Sequence, residues 1–174
     1  MSARERLRRS YRPKRVRMLF VGESPPASGR FFYRADSGLY RAVRGTFMRA
    51  FPEIRKEEFL AAFRDLGCYL VDLCGEPVDD LGAKQRQQIC EAGETQLART
   101  IRKLQPETIV TVVLAIAPNV ERAIAQAKWE GAHIQLPYPG QWKRNRVGFE
   151  RGLRPLLQRE LRGWNSVISR DSVC

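Results

Sequence analysis

The sequence predicts an α/β domain of three layers, in which helices cover both faces of a four-stranded, mostly parallel sheet. Short apolar runs alternate with helical patterns along the whole chain. The run at 108–115 is continuous and rich in β-branched residues, which is typical of a strand buried on both faces. Strands that alternate with helices form parallel sheets through right-handed crossovers, so these patterns indicate an α/β/α architecture.

The elements are predicted in the order βααβαβαβα. Four strands are expected, at 18–21, 68–73, 108–115 and 132–136. Helices are expected after Asp36 or Ser37 as the cap and up to Pro52, then at 55–66, 84–104 and 118–128, and finally across the leucines of 149–161. Pro155 lies inside the last helix and is expected to kink or restart it, because proline lacks the amide proton that a helix needs.

The charge is unevenly distributed along the 174 residues. The net charge is +12, and the first 17 residues contain eight Arg or Lys but a single Glu. We therefore expect a basic, flexible N-terminal arm at 1–14, one domain at 15–164 and a C-terminal tail at 165–174. A basic arm on a basic domain favours a polyanionic partner, most often nucleic acid, because phosphate contacts release counterions.

The composition also argues against several classes of protein. The longest apolar stretch is too short to span a membrane, and no apolar segment follows the N-terminal charges as in a secretory signal. We expect a reducing compartment, the cytoplasm, and a monomer. The four cysteines form no C-x-x-C pair and one histidine is present, so no metal and no cofactor are implied. Cys68 and Cys74 are expected in the core, and His133 is expected to be structural.

Three loops follow strands of the predicted sheet, at 22–26, 72–77 and 137–140. Because parallel strands end at one edge, these loops are expected to meet at a single cleft. They offer polar groups at Glu23, Ser24, Asp72, Glu76 and Tyr138. Aromatic residues nearby could stack on a nucleobase, and basic residues at Lys143, Arg144 and Arg146 could contact phosphate. Each residue alone is as readily explained by a structural role, such as a capped turn or a core aromatic.

Three short motifs occur in a fixed order along the chain. A strand leads into Gly22-Glu23-Ser24-Pro25-Pro26, followed by Gly29-Arg30-Phe31-Phe32-Tyr33 and, late in the chain, by Leu136-Pro137-Tyr138-Pro139-Gly140. These motifs and their order resemble the uracil-DNA glycosylase superfamily. The likeness spans about residues 17–162. It implies a four-stranded parallel sheet and an enzyme that flips a uracil or other damaged base out of DNA, single-stranded or double-stranded, and hydrolyses its N-glycosidic bond.

The resemblance also implies roles for particular residues. Glu23, Ser24, Asp36 and Tyr138 would be catalytic, with Glu23 or Asp36 orienting the attacking water and Tyr138 stabilising the departing base. Phe32 would stack on the base and Asp72 would contact its edge. The remaining substrate contacts would come from Gly22, Pro25, Pro139 and Gly140. The DNA backbone would be held by Arg30, Lys143, Arg144 and Arg146.

Two departures from the family keep other functions open. The late family motif usually begins His-Pro-Ser, whereas this chain has Tyr138-Pro139-Gly140, and the expected base-reading Asn is Asp72 here. An ionised Asp offers hydrogen-bond acceptors alone, which suits a base edge that bears amino groups. A catalytically inactive nucleic-acid-binding module of the same fold is the alternative, followed by a hydrolase or transferase of small nucleosides.

Overall fold

The computed structural model describes residues 1–140 and 142–161 and contains one four-stranded sheet. Its strands are β1 (Met18–Gly22), β2 (Cys68–Asp72), β3 (Thr108–Thr111) and β4 (Ala132–Gln135). All three pairings are parallel, in the order β2-β1-β3-β4, with Val21 opposite both Val71 and Thr111. The predicted fold class is confirmed, and the carboxyl ends of all four strands lie at one edge.

Helices cover the sheet. The helices are α1 (Ala3–Ser10), α2 (Gly38–Ala50), α3 (Phe59–Asp65), α4 (Ala83–Leu104), α5 (Ala117–Ala127) and α6 (Lys143–Glu160). Helices α4 and α5 pack against each other, and α2 packs against α6. The predicted cap of α2 is confirmed, because the Ser37 hydroxyl accepts a hydrogen bond from the Tyr40 amide at 3.1 Å. Of the described residues, no helix is both long and apolar enough to cross a membrane.

The two central strands are buried along their whole length, whereas β4 is an exposed edge strand. This difference follows from sequence, since β1 is apolar and β3 is made of β-branched residues, whereas β4 alternates apolar and polar residues. His133 on β4 lies 2.8 Å from the Thr111 hydroxyl on β3, a contact of the kind expected for a structural histidine. Cys68 and Cys74 are buried, as predicted.

The outer edge of the other edge strand, β2, is capped at Leu70 by the side chain of Tyr33. The Tyr33 hydroxyl accepts a hydrogen bond from the Leu70 amide at 2.7 Å and donates one to the Leu70 carbonyl at 3.1 Å. These are the outward-facing backbone groups that a further strand would otherwise pair with. Tyr11 stacks on the Tyr33 ring at 5.5 Å, which fixes the chain after α1 against the same edge.

Several local predictions differ from the structure. The segment 1–14, expected as a flexible arm, contains α1, which Ser2 caps through the Glu5 amide. Strand β3 ends at Thr111 because the chain turns into a short 3-10 helix, Leu114–Ile116, where Leu114 is half exposed. Helix α6 continues through Pro155 instead of restarting there. The predicted tail at 165–174, and the last residues of the predicted domain at 162–164, lie outside the described residues.

Candidate functional site

The three strand-end loops meet at one cleft, as their positions in the sequence predicted. A cavity of about 660 Å³ opens at the carboxyl edge of the sheet, where β1 is flanked by β2 on one side and β3 on the other. After β1, the chain adds β2 on one side of it and then β3 and β4 on the other side, so the strand order reverses at this point. Open α/β sheets bind ligands where the strand order reverses. The cavity is lined by polar residues of all three loops, including Glu23, Asp72, Asp79 and Tyr138, and by Phe31 and Phe32.

Glu23 is held in the cleft by an arginine that no local sequence signal indicated. The Arg86 Nε donates to Glu23 Oε1 at 2.6 Å, and a second nitrogen of the same guanidinium donates to Oε2. This two-point pairing fixes the plane of the carboxylate as well as its position. Because 12% of the Glu23 side chain is exposed against 39% of Arg86, the pair presents its guanidinium side to solvent.

Asp72 forms the floor of the cleft at the end of β2. Burial raises the pKa of its carboxyl group from the ordinary 3.8 to about 6, although the charges of Arg8 and Arg4 act in the opposite direction. Gly22 lies beside it in the neighbouring strand, and a Cβ there would lie 2.9 Å from Asp72 Oδ1. The φ angle of Gly22 is not positive, so the backbone conformation does not require glycine there. Glycine instead leaves room for the Asp72 carboxylate.

Phe31 and Phe32 form an apolar wall of the cleft. Phe32 is 3% exposed and packs edge-on against Tyr33 and Tyr40, so its ring is rigidly placed. Asp36 lies behind this wall, where its Oδ1 accepts a hydrogen bond from the Phe31 amide at 2.6 Å. Of the two carboxylates expected to orient water, Glu23 lines the cavity, and Asp36 supports the loop that carries the wall.

Tyr138 closes the opposite side of the cleft. It is 43% exposed, and its ring packs over Gly140, where a Cβ would lie 2.7 Å from ring carbon Cδ1. Its hydroxyl lies over the start of α2, since a Cβ on Gly38 would be 3.7 Å from it. Burial raises the pKa of the Tyr138 phenol, partly offset by Arg41, so the group remains a hydrogen-bond donor at neutral pH.

The remaining predicted residues divide between the cleft and its surroundings. Gly22, Ser24, Pro25 and Arg30 line the cavity, with the Ser24 hydroxyl 3.4 Å from the Val78 amide. Buried Pro139 and partly buried Gly140 shape the Tyr138 loop without lining the cavity. The exposed basic residues lie on the first turn of α6, at Lys143, Arg144 and Arg146. Glu76 is turned away from the cleft and pairs with Arg4 at 3.0 Å.

Two cysteines lie behind the Glu23–Arg86 pair. The sulfur atoms of Cys74 and Cys90 are 3.5 Å apart, and Cys90 Sγ is 3.9 Å from Glu23 Oε1. Burial raises the pKa of the Cys74 thiol to about 12, which keeps it protonated. In the part of the chain that the structure describes, no group of three or more His, Cys, Asp or Glu side chains could hold a metal ion.

No known family model and no curated protein matches this chain. Its function is therefore inferred from the chemistry of the cleft. That cleft combines a fixed carboxylate at Glu23, a carboxyl group at Asp72 that changes protonation near pH 6, a phenol at Tyr138 and an aromatic wall.

Proposed function

We propose that this chain binds DNA and hydrolyses the N-glycosidic bond of a uracil or other damaged base held in the cleft, as its resemblance to the uracil-DNA glycosylase superfamily implies. One observation carries the proposal: Glu23, Asp72 and Tyr138, from three separate loops, line one cavity together with Phe31 and Phe32. At about 660 Å³ the cavity falls within the usual range for small-molecule sites and has room for a nucleobase and its sugar.

The proposed reaction assigns one task to each polar group. The glycosidic C–N bond breaks, the base leaves with the bonding electrons, and the oxygen of water bonds to the sugar carbon. Glu23, fixed by Arg86, accepts a hydrogen bond from that water and stabilises the positive charge that develops on the sugar. The Tyr138 phenol donates a hydrogen bond to the departing base, and the proton released by water neutralises the base.

Recognition of the base falls to Asp72 and the aromatic wall. Phe32 is 3% exposed, so a flipped base would contact the small part of its ring that lines the cavity, and not a full ring face as expected from the resemblance. Asp72 is able to act as donor below about pH 6, where it is protonated, and as acceptor above. A base edge with a carbonyl is then matched at low pH, and one with an amino group at higher pH.

The test is release of bases from oligonucleotides that carry uracil, hypoxanthine, xanthine or an alkylated base, in single and double strands. We expect release from at least one substrate, reduced by 100-fold or more in Glu23→Gln, in line with the usual contribution of one electrostatic contact to the transition state. Glu130→Gln is the matched control, because Glu130 is an exposed carboxylate before β4, at the opposite edge of the sheet. Absence of release from the whole panel would remove the catalytic proposal. Unchanged release in Glu23→Gln and Tyr138→Phe would remove the site assignment.

A second candidate is an inactive nucleic-acid-binding module with the same cleft. The observation that favours it is the Arg86 pairing, because both oxygens of Glu23 are already engaged and a water molecule must compete for them. This candidate predicts equal, steeply salt-dependent binding of damaged and undamaged DNA without base release. Preferential binding of a damaged base would count against it.

A further inference from the structure

A second concave surface adjoins the cleft on the far side of β2. It is a cavity of about 220 Å³ between α1 and α4, here named the α1/α4 groove. Its walls carry four cationic side chains, namely Arg8, Arg9 and Arg12 of the N-terminal segment and Lys103 of α4. The groove therefore brings three arginines of the N-terminal segment together with Lys103, which lies 91 or more positions later in the chain.

The positive charge of the groove is only partly neutralised. Glu5 accepts hydrogen bonds from both Arg8 and Arg9, so one carboxylate is shared by two guanidinium groups. Arg12 and Lys103 have no ion-pair partner among residues 1–140 and 142–161. Even with Asp72 counted at its inner end, the groove retains an excess of positive charge. Such a surface attracts phosphate groups.

The groove is also rigid at its α1 side. The stack of Tyr11 on Tyr33 holds the end of α1, and the Arg4–Glu76 pair holds its start against the loop after β2. A cation that is already fixed in place loses less conformational entropy on binding than one on a flexible arm. The backbone of the basic N-terminal segment is thus held against the domain, and its cations project from a defined surface.

Asp72 connects the groove with the cleft, because its side chain lines both cavities. Because Asp72 is the floor of the cleft, the groove lies on the far side of that floor, and its unpaired cations Arg12 and Lys103 lie outside the cleft. We propose that the α1/α4 groove binds phosphate groups of the DNA backbone beyond the nucleotide held in the cleft. The proposal rests on the proposed function for the identity of the nucleic acid, but its phosphate chemistry is independent of catalysis.

The experiment removes the two unpaired cations together, in Arg12→Gln/Lys103→Gln. Binding of an undamaged duplex is measured by fluorescence anisotropy as a function of salt concentration. Each lost phosphate contact lowers the slope of log K against log salt by about 0.9 for duplex DNA. The slope should fall by roughly 1.8 if both cations contact phosphate, with an affinity loss of about 60-fold at 0.1 M salt, or about 8-fold for one contact.

The matched control is Arg151→Gln/Arg154→Gln, which removes the same charge. These exposed residues lie eight and eleven positions along α6, about 12 and 16 Å from its start beside the cleft. They also lack an ion-pair partner in the described chain. We expect the control to keep the wild-type salt slope within about 0.3, since exposed distant charges are screened. Equal slopes for the two double variants would overturn the proposal.

A second arm separates a nucleic-acid backbone from a free phosphate compound. Tripolyphosphate binding is measured by calorimetry on the wild type and on the groove variant. If the groove variant loses tripolyphosphate binding and keeps its DNA salt slope, the site is one for small anions and the proposal fails. If the slope falls although no substrate releases a base, the groove stands and the glycosylase proposal alone fails. Thermal unfolding of each variant verifies that it is folded.

Discussion

Replacement of Asp72 by Asn should change how the stability of the protein depends on pH. In the folded protein burial raises the pKa of Asp72 to about 6, against 3.8 for an ordinary Asp. Between these values the folded state binds more protons than the unfolded state. The contribution of Asp72 to the free energy of unfolding is therefore most favourable below pH 4, and this contribution is lost as the pH rises through 6.

The size of the effect follows from the two pKa values. A rise from 3.8 to about 6 corresponds to roughly 3 kcal/mol of free energy of unfolding, since one pKa unit is about 1.4 kcal/mol. Asp72→Asn removes the titration and keeps the shape of the side chain. The difference in stability between Asp72→Asn and wild type should therefore shift by roughly 2.4 kcal/mol in favour of the variant between pH 4 and pH 7, since a small part of the effect falls below pH 4.

The assay is urea denaturation of both proteins at half-unit steps across this range. Taking the difference between the free energies of unfolding of the two proteins cancels the contributions of all other titrating groups, which both proteins share. Glu58→Gln serves as control, because the hydrogen bond from Arg55 lowers the pKa of exposed Glu58 and so gives a pH dependence of opposite sign. A difference between Asp72→Asn and wild type that stays constant from pH 4 to pH 7 would refute the assignment of a buried, titrating carboxyl group to the cleft floor.

Three further outcomes are expected. Gly22→Ala should crowd the Asp72 carboxylate, and thermal unfolding should show a loss of stability of about 1–3 kcal/mol. The same variant should raise KM for a base-containing substrate. An unchanged KM would contradict the close approach of residue 22 to the Asp72 carboxylate. Tyr33→Phe should cost about 1–3 kcal/mol, because the Leu70 amide and carbonyl lose their partner; a denaturation midpoint equal to wild type would count against this. In the wild type, kcat/KM for a uracil substrate should fall between pH 5 and pH 7 as Asp72 ionises, and the profile of Asp72→Asn should be flat there.

The meeting of the three loops could be predicted because it depends on topology alone. Once β1, β2 and β4 are recognised as parallel, their carboxyl ends must share an edge, whatever the loops contain. Glu23 and Tyr138 follow directly in those loops, so local sequence located them. The length of β3 could not be read in the same way, since an apolar run such as 108–115 suits a strand and a buried helical turn equally well.

Arg86 and α1 could not be predicted because each depends on a long-range contact. Arg86 lies 63 residues after Glu23, on the exposed first turns of a helix, where an arginine is ordinary. Helix α1 has no buried residue and one leucine among its eight positions, so its sequence contains too little apolar surface to predict a packed helix. Its position depends on the pairing of Arg4 with Glu76 and on the stack of Tyr11 against Tyr33.

The Tyr33 contact with Leu70 limits how the cleft can evolve. Phe31, Phe32 and Tyr33 are consecutive, so the segment that forms the aromatic wall of the cleft also shields a sheet edge at Leu70 from other chains. A deletion or insertion that reshaped the aromatic wall would move Tyr33 and expose the outward backbone groups of Leu70, which favours intermolecular strand pairing. Changes in specificity at this site are therefore expected through single substitutions, whereas changes of loop length there would lead to aggregation.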